Sequence, residues 1–185
     1  MRWSPTVLRQ SRGIPEPERP DVSDFAGTWV LDPDRTSIEF HTKALWVIPT
    51  KGTFRSLEGA GTVTADGGIE GRLVIDAASV DTRNKKRNAH LRTADFLEVD
   101  TFPTIAYEVT SGRLTGPGTV DLDGTLTAHG VTSPLAVSAS LRLAADTVTI
   151  WADVAIDRSA WGLTLTPLGA GLKNRVFVRS RFDKV

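Results

Sequence analysis

The run SVDTRNKKRNAHLRTADFLEVDTFPTIAYEV, Ser79 to Val109, decides the fold. It changes period twice. Ser79 to Thr82 reads as the end of a strand. Asn84 to Thr93 reads as a short basic helix, polar or charged nearly all round. Thr104 to Val109 returns to strict alternation, with Ile105, Tyr107 and Val109 on one face. A short charged helix inside an all-β pattern suits one role, closing one end of a barrel or sandwich, where loops build binding sites.

Working outward, the rest of the chain from Gly27 alternates. Ile38 and Phe40 alternate with Ser37, Glu39 and His41. Ile69, Leu73 and Ile75 share one parity after an expected turn at Asp66-Gly67-Gly68. Val120, Leu122 and Leu126 form another such set, as do Leu135, Val137, Ala139, Leu141 and Leu143. Val148, Ile150, Val154 and Ile156 follow, then Val176, Val178 and Phe182. About eight strands with short turns describe an antiparallel barrel or a sandwich, and periodicity does not separate the two. Pro117 and Pro134 are expected at turns or strand starts.

Composition bounds the function classes. The 185 residues suit one domain, and the formal net charge is zero, so nothing global draws the chain to nucleic acid or an anionic membrane. The chain has no cysteine, which excludes disulfide scaffolds and thiolate chemistry. Residues 1–24, with Pro5, Pro15, Pro17 and Pro20 among charges, read as a flexible arm, and 25–185 as the β domain. Trp3, Leu8 and Ile14 give that arm an alternative, packing onto a partner. No run of residues is apolar enough for a signal segment or an integral membrane span, so the chain taken as complete is expected in the cytoplasm.

Little in the sequence points to catalysis or metal binding. His41, His90 and His129 lie on different elements without zinc-ligand spacing. No serine has a G-x-S-x-G context, and no G-x-G-x-x-G opens a helix. The expectation is therefore no catalytic residue, no metal and no required cofactor. The apolar interior is either a filled core or a hollow cavity, since an eight-stranded barrel allows both. The basic cluster Arg83, Lys85, Lys86, Arg87 and Arg92 is either a solvated helix face or a rim for a polar headgroup.

Several ordered motifs carry a resemblance. Ser79-Val80-Asp81-Thr82, Asn84, Arg87, His90-Leu91-Arg92, Ala94-Asp95-Phe96 and Phe102-Pro103-Thr104-Ile105 resemble the signature of YceI-like proteins, lipocalin-like polyisoprenoid-binding barrels. Trp29, Asp32-Pro33 and Ser37-Ile38-Glu39-Phe40 resemble the family's first hairpin, and Gly52-Thr53-Phe54 with Gly59 its next strand. Gly124-Thr125-Leu126-Thr127 with Gly130-Val131-Thr132-Ser133-Pro134 resembles its long hairpin, and Ile156-Asp157-Arg158 with Trp161-Gly162-Leu163 its late turn. Asn88 departs from the pattern, which often has Asp there, and Lys43-Ala44-Leu45 and Thr36-Ser37 depart in the first hairpin.

The resemblance implies an all-β, lipocalin-like antiparallel barrel of about eight strands with a short helix at one end. It implies a hollow cavity holding an amphiphilic lipid, a polyisoprenoid or isoprenoid quinone, for carriage or sequestration. The apolar parity then assigns Ile38, Phe40, Phe54, Leu73, Ile75, Ile105, Tyr107, Leu126 and Val137 to the cavity, with Trp46 and Trp161 near its mouth. Arg87, His90 and Arg92 are the headgroup candidates. Arg87 and Arg92 lie about 140° apart on a helix, so only one faces the mouth, and Arg92 is the expected one. A homodimer is expected from apolar residues on both parities at Val176, Phe177 and Val178 and from the family habit. Two rivals use the same barrel: an enzyme with His90 or Tyr107 as acid or base, and an interaction module with a filled interior.

Overall fold

A computed structural model describes residues 22–44, 48–164 and 171–185. Eight strands form one up-and-down ladder: β1 (Gly27–Ala44), β2 (Ile48–Val63), β3 (Ile69–Asp81), β4 (Thr104–Gly116), β5 (Thr119–Ala128), β6 (Val131–Ala144), β7 (Thr147–Asp157) and β8 (Lys173–Lys184). Each pairs antiparallel with the next, and β8 returns to β1, with Phe40 opposite Val176. The fold is thus a closed barrel, not a sandwich. Most of the arm read from the sequence lies outside the described residues. Its last three residues, Val22 to Asp24, belong instead to a short helix, α1 (Val22–Phe25), which the sequence did not announce.

Register shifts keep the apolar side chains inside where strict alternation would lose them. In β1 the pairing shifts between Val30 and Ile38, so the buried parity passes from Trp29 and Leu31 to Ile38 and Phe40. In β4 a shift between Val109 and Ser111 passes it from Ile105, Tyr107 and Val109 to Leu114. In β3 it moves from Leu73 and Ile75 to Val80 and Thr82. One extra residue in a strand reverses every later side chain, which is what a bulge supplies.

The two ends of the barrel differ. At one, Phe25 of α1 packs with Trp29 and Val148, and Leu114, Leu141, Ile150 and Phe182 close round them. Trp29 Nε1 donates to the Phe25 carbonyl at 2.8 Å, and the Lys184 ammonium lies 5.5 Å from the centre of the indole. At the other, the β3–β4 connection forms α2 (Lys85–Leu91), and a 3-10 turn (Arg158–Trp161) follows β7. Asn84 caps α2, its side chain accepting from Arg87 N at 3.0 Å, and Arg92 is the C-cap. Seven residues do not hold a helix alone, so α2 depends on its contacts with the barrel. Gly162, at φ 73°, ends the 3-10 turn in the left-handed region that side chains resist.

The wall is laced unevenly. β6 pairs with β7 only from Ala139 to Ala144. Residues 131–138 of β6 carry no β7 partner among the described residues. Pro134 lies in this stretch, inside the strand and not at a turn or strand start, where a missing N–H is tolerated.

Trp29→Ala empties the plug and is expected to cost about 3–5 kcal/mol of unfolding free energy in a urea titration. Trp29→Phe, which loses the Nε1 bond and little volume, should cost about 1 kcal/mol. Equal losses would mean that the hydrogen bond, not the packing, closes this end.

Candidate functional site

The barrel is hollow. Its interior holds a cavity of about 880 Å³, within the roughly 300–1,000 Å³ typical of small-molecule sites. Ile38, Phe40, Phe54, Leu73, Ile75, Ile105, Tyr107, Leu126 and Val137 all line it, as their parity requires. Trp161 lines it too, its Nε1 donating to the Leu126 carbonyl at 2.6 Å, which fixes the indole across the α2 end. The interior is therefore not the filled core that alternation also allowed. Trp46 lies outside the described residues.

Deep in the cavity the walls are almost wholly hydrocarbon. Tyr107 and Ser180 are polar exceptions, and Tyr107 is the titratable one. Its hydroxyl donates to the Leu135 carbonyl at 3.1 Å. Burial pushes its pKa up to about 12, with a further push from Asp123. A phenol held there stays protonated near neutrality and is poorly matched to acid or base work.

Polar groups gather at the α2 end. Asn88 is buried, and its amide serves both neighbours. Its Oδ1 accepts from Thr82 N at 2.8 Å and Thr82 Oγ1 at 2.6 Å, and its Nδ2 donates to Asp81 Oδ1 at 2.8 Å. Asp81 Oδ1 also accepts from Arg83 N, forming an Asx turn. That backbone bond and the Asn88 amide hold the Asp81 carboxyl below its usual range. A carboxylate at position 88 could not donate to Asp81, so the departure from the family pattern suits this network.

Arg87 lines the cavity. Its Nε donates to Thr82 Oγ1 at 2.7 Å and its Nη2 to the Thr82 carbonyl at 2.9 Å. His90 also lines it, half exposed, with its ring edge-on to Phe96 and Nδ1 4.0 Å from Asp95. Arg92 does not face the cavity, which corrects the expectation for it. As C-cap of α2 it turns back to β3, donating from Nε to the Ala78 carbonyl at 2.7 Å and from Nη2 to Val80 at 3.0 Å. Those carbonyls lie where β3 has left its pairing with β4, which ends at Asp76. The guanidinium supplies donors that the ladder does not.

The sequence reading gave no site role to several polar residues found here. Asn88, noted only as a departure from the family pattern, is one. Arg158 is buried, with Nε donating to the Gly171 carbonyl at 3.1 Å, Nη1 to Leu163, and its guanidinium 5.5 Å from the Phe96 ring centre. Burial lowers its pKa, and Asp157 opposes that. Asn174 faces inward from β8. An arginine in a turn reads as surface, so Arg158 gave no signal beyond its motif. Asn174 shares the parity of Val176, Val178 and Phe182, and that parity would have found it.

The histidines stay apart. His41 pairs with Glu39 on the outer wall beside Phe177. His129 Nε2 is 3.4 Å from Glu98 without hydrogen-bond geometry, and its ring meets Phe102 edge-on. Among the described residues, no cluster of three His, Asp or Glu side chains could hold a metal, and no helix is long and apolar enough to cross a membrane.

Two measurements check this geometry. Arg92→Ala should destabilise the barrel by about 1–3 kcal/mol by removing the charged donor to the Ala78 and Val80 carbonyls, and should leave ligand headgroup preference unchanged. The chain has one tyrosine, so tyrosinate absorbance reports on Tyr107 alone. In the folded protein its midpoint should lie near 12, falling to about 10 on unfolding. Because the folded value is the raised one, Tyr107's contribution to stability is full below about pH 10 and is lost as pH rises through the folded value. A folded-state midpoint at the ordinary value would contradict its burial.

Comparison with known proteins agrees with this architecture. The family model for the YceI-like domain matches residues 29–183. A UPF0312 protein of Ectopseudomonas mendocina is 39% identical over 90 residues, covering 48% of this chain and 47% of the relative. One from Azotobacter vinelandii is 37% identical over 119 residues, covering 62% of each. The matched region thus spans about half to three-fifths of these curated relatives. Among solved structures, Burkholderia cenocepacia BcnA superposes with a TM-score of 0.72 at 18% identity, over 82% of this chain and 98% of that one. A polyisoprenoid binding domain from Saccharophagus degradans gives 0.69 at 20%, over 85% and 98%. At such identities the two structures speak for the fold. The family match runs from Trp29 at the plugged end to Asp183 on the closing strand, and the chain belongs to the YceI-like domain family.

Proposed function

We propose that this protein binds a long-chain amphiphile, a polyisoprenoid or isoprenoid quinone, for carriage or sequestration. The hydrocarbon chain lies in the barrel and the headgroup at the α2 end. The observation that carries this reading is the cavity of about 880 Å³, walled mainly by apolar side chains and plugged at one end by Phe25 and Trp29. The Saccharophagus degradans domain, described as polyisoprenoid binding, shares the fold and supports the choice of chain chemistry.

The energetics suit a chain held by burial. Each CH₂ removed from water contributes roughly 0.8 kcal/mol, so about ten contribute ~8 kcal/mol before ordering and association costs. Such binding needs no catalytic group and no cofactor. Lys86, Arg87 and His90 line the cavity from α2 and are able to meet a headgroup there.

Mass spectrometry of an organic extract of the purified protein should show a co-purified isoprenoid, and calorimetry should show binding of added geranylgeraniol. Val137→Trp places an indole in the cavity. It should weaken that binding tenfold or more and leave the thermal unfolding midpoint within a few degrees. A filled core would instead lose about 1–3 kcal/mol to overpacking. An empty extract together with no binding of geranylgeraniol would end the proposal.

A further inference from the structure

The inward-facing residues of β8 run Asn174, Val176, Val178, Ser180 and Phe182. Asn174, at the α2 end of that row, lies opposite Ile156 of β7. Its Oδ1 is buried and has no hydrogen-bond partner among the described residues. A buried carboxamide oxygen left unpaired is costly, and native proteins rarely keep one without a use. Arg87 and Arg158 line the same cavity, and the bonds they make run to Thr82 and to the Gly171 and Leu163 carbonyls.

We infer that Asn174 Oδ1 accepts a hydrogen bond from the ligand, so that the site selects a headgroup bearing a hydroxyl donor, an isoprenoid alcohol or an isoprenoid hydroquinone. The inference rests on the proposed lipid-binding role and narrows it. A quinone carbonyl or an ether oxygen brings no proton to Oδ1; it can accept from the Nδ2 of the same amide, but Oδ1 then stays unpaired. A fully ionised phosphate would do the same at higher cost, since a buried acceptor beside an anion is repulsive in a low-dielectric site. A hydroxyl satisfies Oδ1 and keeps its own acceptor for the other cavity-lining donors. Discrimination of this kind is steep because the wrong ligand leaves a buried polar atom unpaired.

The test compares geranylgeraniol with its methyl ether, and a prenylated hydroquinone with its dimethyl ether, by calorimetry on the full chain and on Asn174→Leu. The wild-type protein should prefer the hydroxyl form at least tenfold, a difference of about 1.4 kcal/mol. The pair showing the larger preference identifies alcohol or hydroquinone as the source of the donor. Asn174→Leu should bind both members of each pair alike, with the ether bound at least as well as by wild type, which also shows that the variant is folded. If wild type binds hydroxyl and ether forms equally, or Asn174→Leu keeps the preference, the inference is overturned and the lipid-binding role stands. If wild type binds neither pair, the lipid-binding role itself fails. Should Asn174→Leu not fold, the wild-type ratio alone decides.

Discussion

Closing eight antiparallel strands into one ladder gives every strand two neighbours, and it fixes the radius of what the wall encloses. Here the inward side chains do not fill that space. Most are Val, Ile, Leu and Ala on β5 to β8, with strand aromatics at Trp29 and Phe40 on β1, Phe54 on β2, Tyr107 on β4 and Phe182 on β8. The cavity is therefore a consequence of closure combined with medium-sized residues. Its shape then depends on what is done at the two ends. Phe25 and Trp29 close one by packing, whereas α2 and the 3-10 turn cover the other with groups that hydrogen-bond.

That asymmetry explains why α2 is so polar. A helix of seven residues has too few turns to be stable on propensity, and it brings no apolar stripe to bury. It is held by side chains that reach to β3: Arg92 to two carbonyls, Arg87 and Asn88 to Thr82, and Asn88 again to Asp81. The basic cluster therefore splits into groups with separate tasks. Arg92 anchors, and Arg87 anchors with one edge of its guanidinium while lining the cavity. A count of positive charges along the sequence does not make that distinction.

The strands were legible because period-two burial is a direct imprint of a one-sided wall, and the inward set from Ile38 to Val137 followed from parity alone. Three things did not follow. The bulges in β1, β3 and β4 reverse parity without any sequence mark other than a run of small or polar residues. Arg92 was misplaced because a helix angle says where a residue starts, not which unpaired carbonyl its long side chain reaches. The hollow did not follow from alternation, which a filled and an empty barrel share, and came only from the family resemblance; volume is a property of closure, and no single strand carries it. Asn174 lay within reach, on a parity already read as inward, but an isolated Asn beside Arg175 reads as a strand end.

The same cavity explains why a few polar groups can set specificity. In a wall that offers mainly dispersion and desolvation, chains of similar length bind with similar energy, so the hydrocarbon contributes affinity without choosing among headgroups. Choice falls to the polar groups around the α2 end. Those with partners already made, such as Arg92 and Asn88, resist rearrangement and keep the mouth in shape. A polar atom without a partner among the described residues, such as Asn174 Oδ1, has its best state only when a ligand completes it. Stability and selectivity are thus carried by different residues within one small region. This is why substitutions at Arg92 and at Asn174 are expected to act on separate observables, the first on folding and the second on which headgroup is bound.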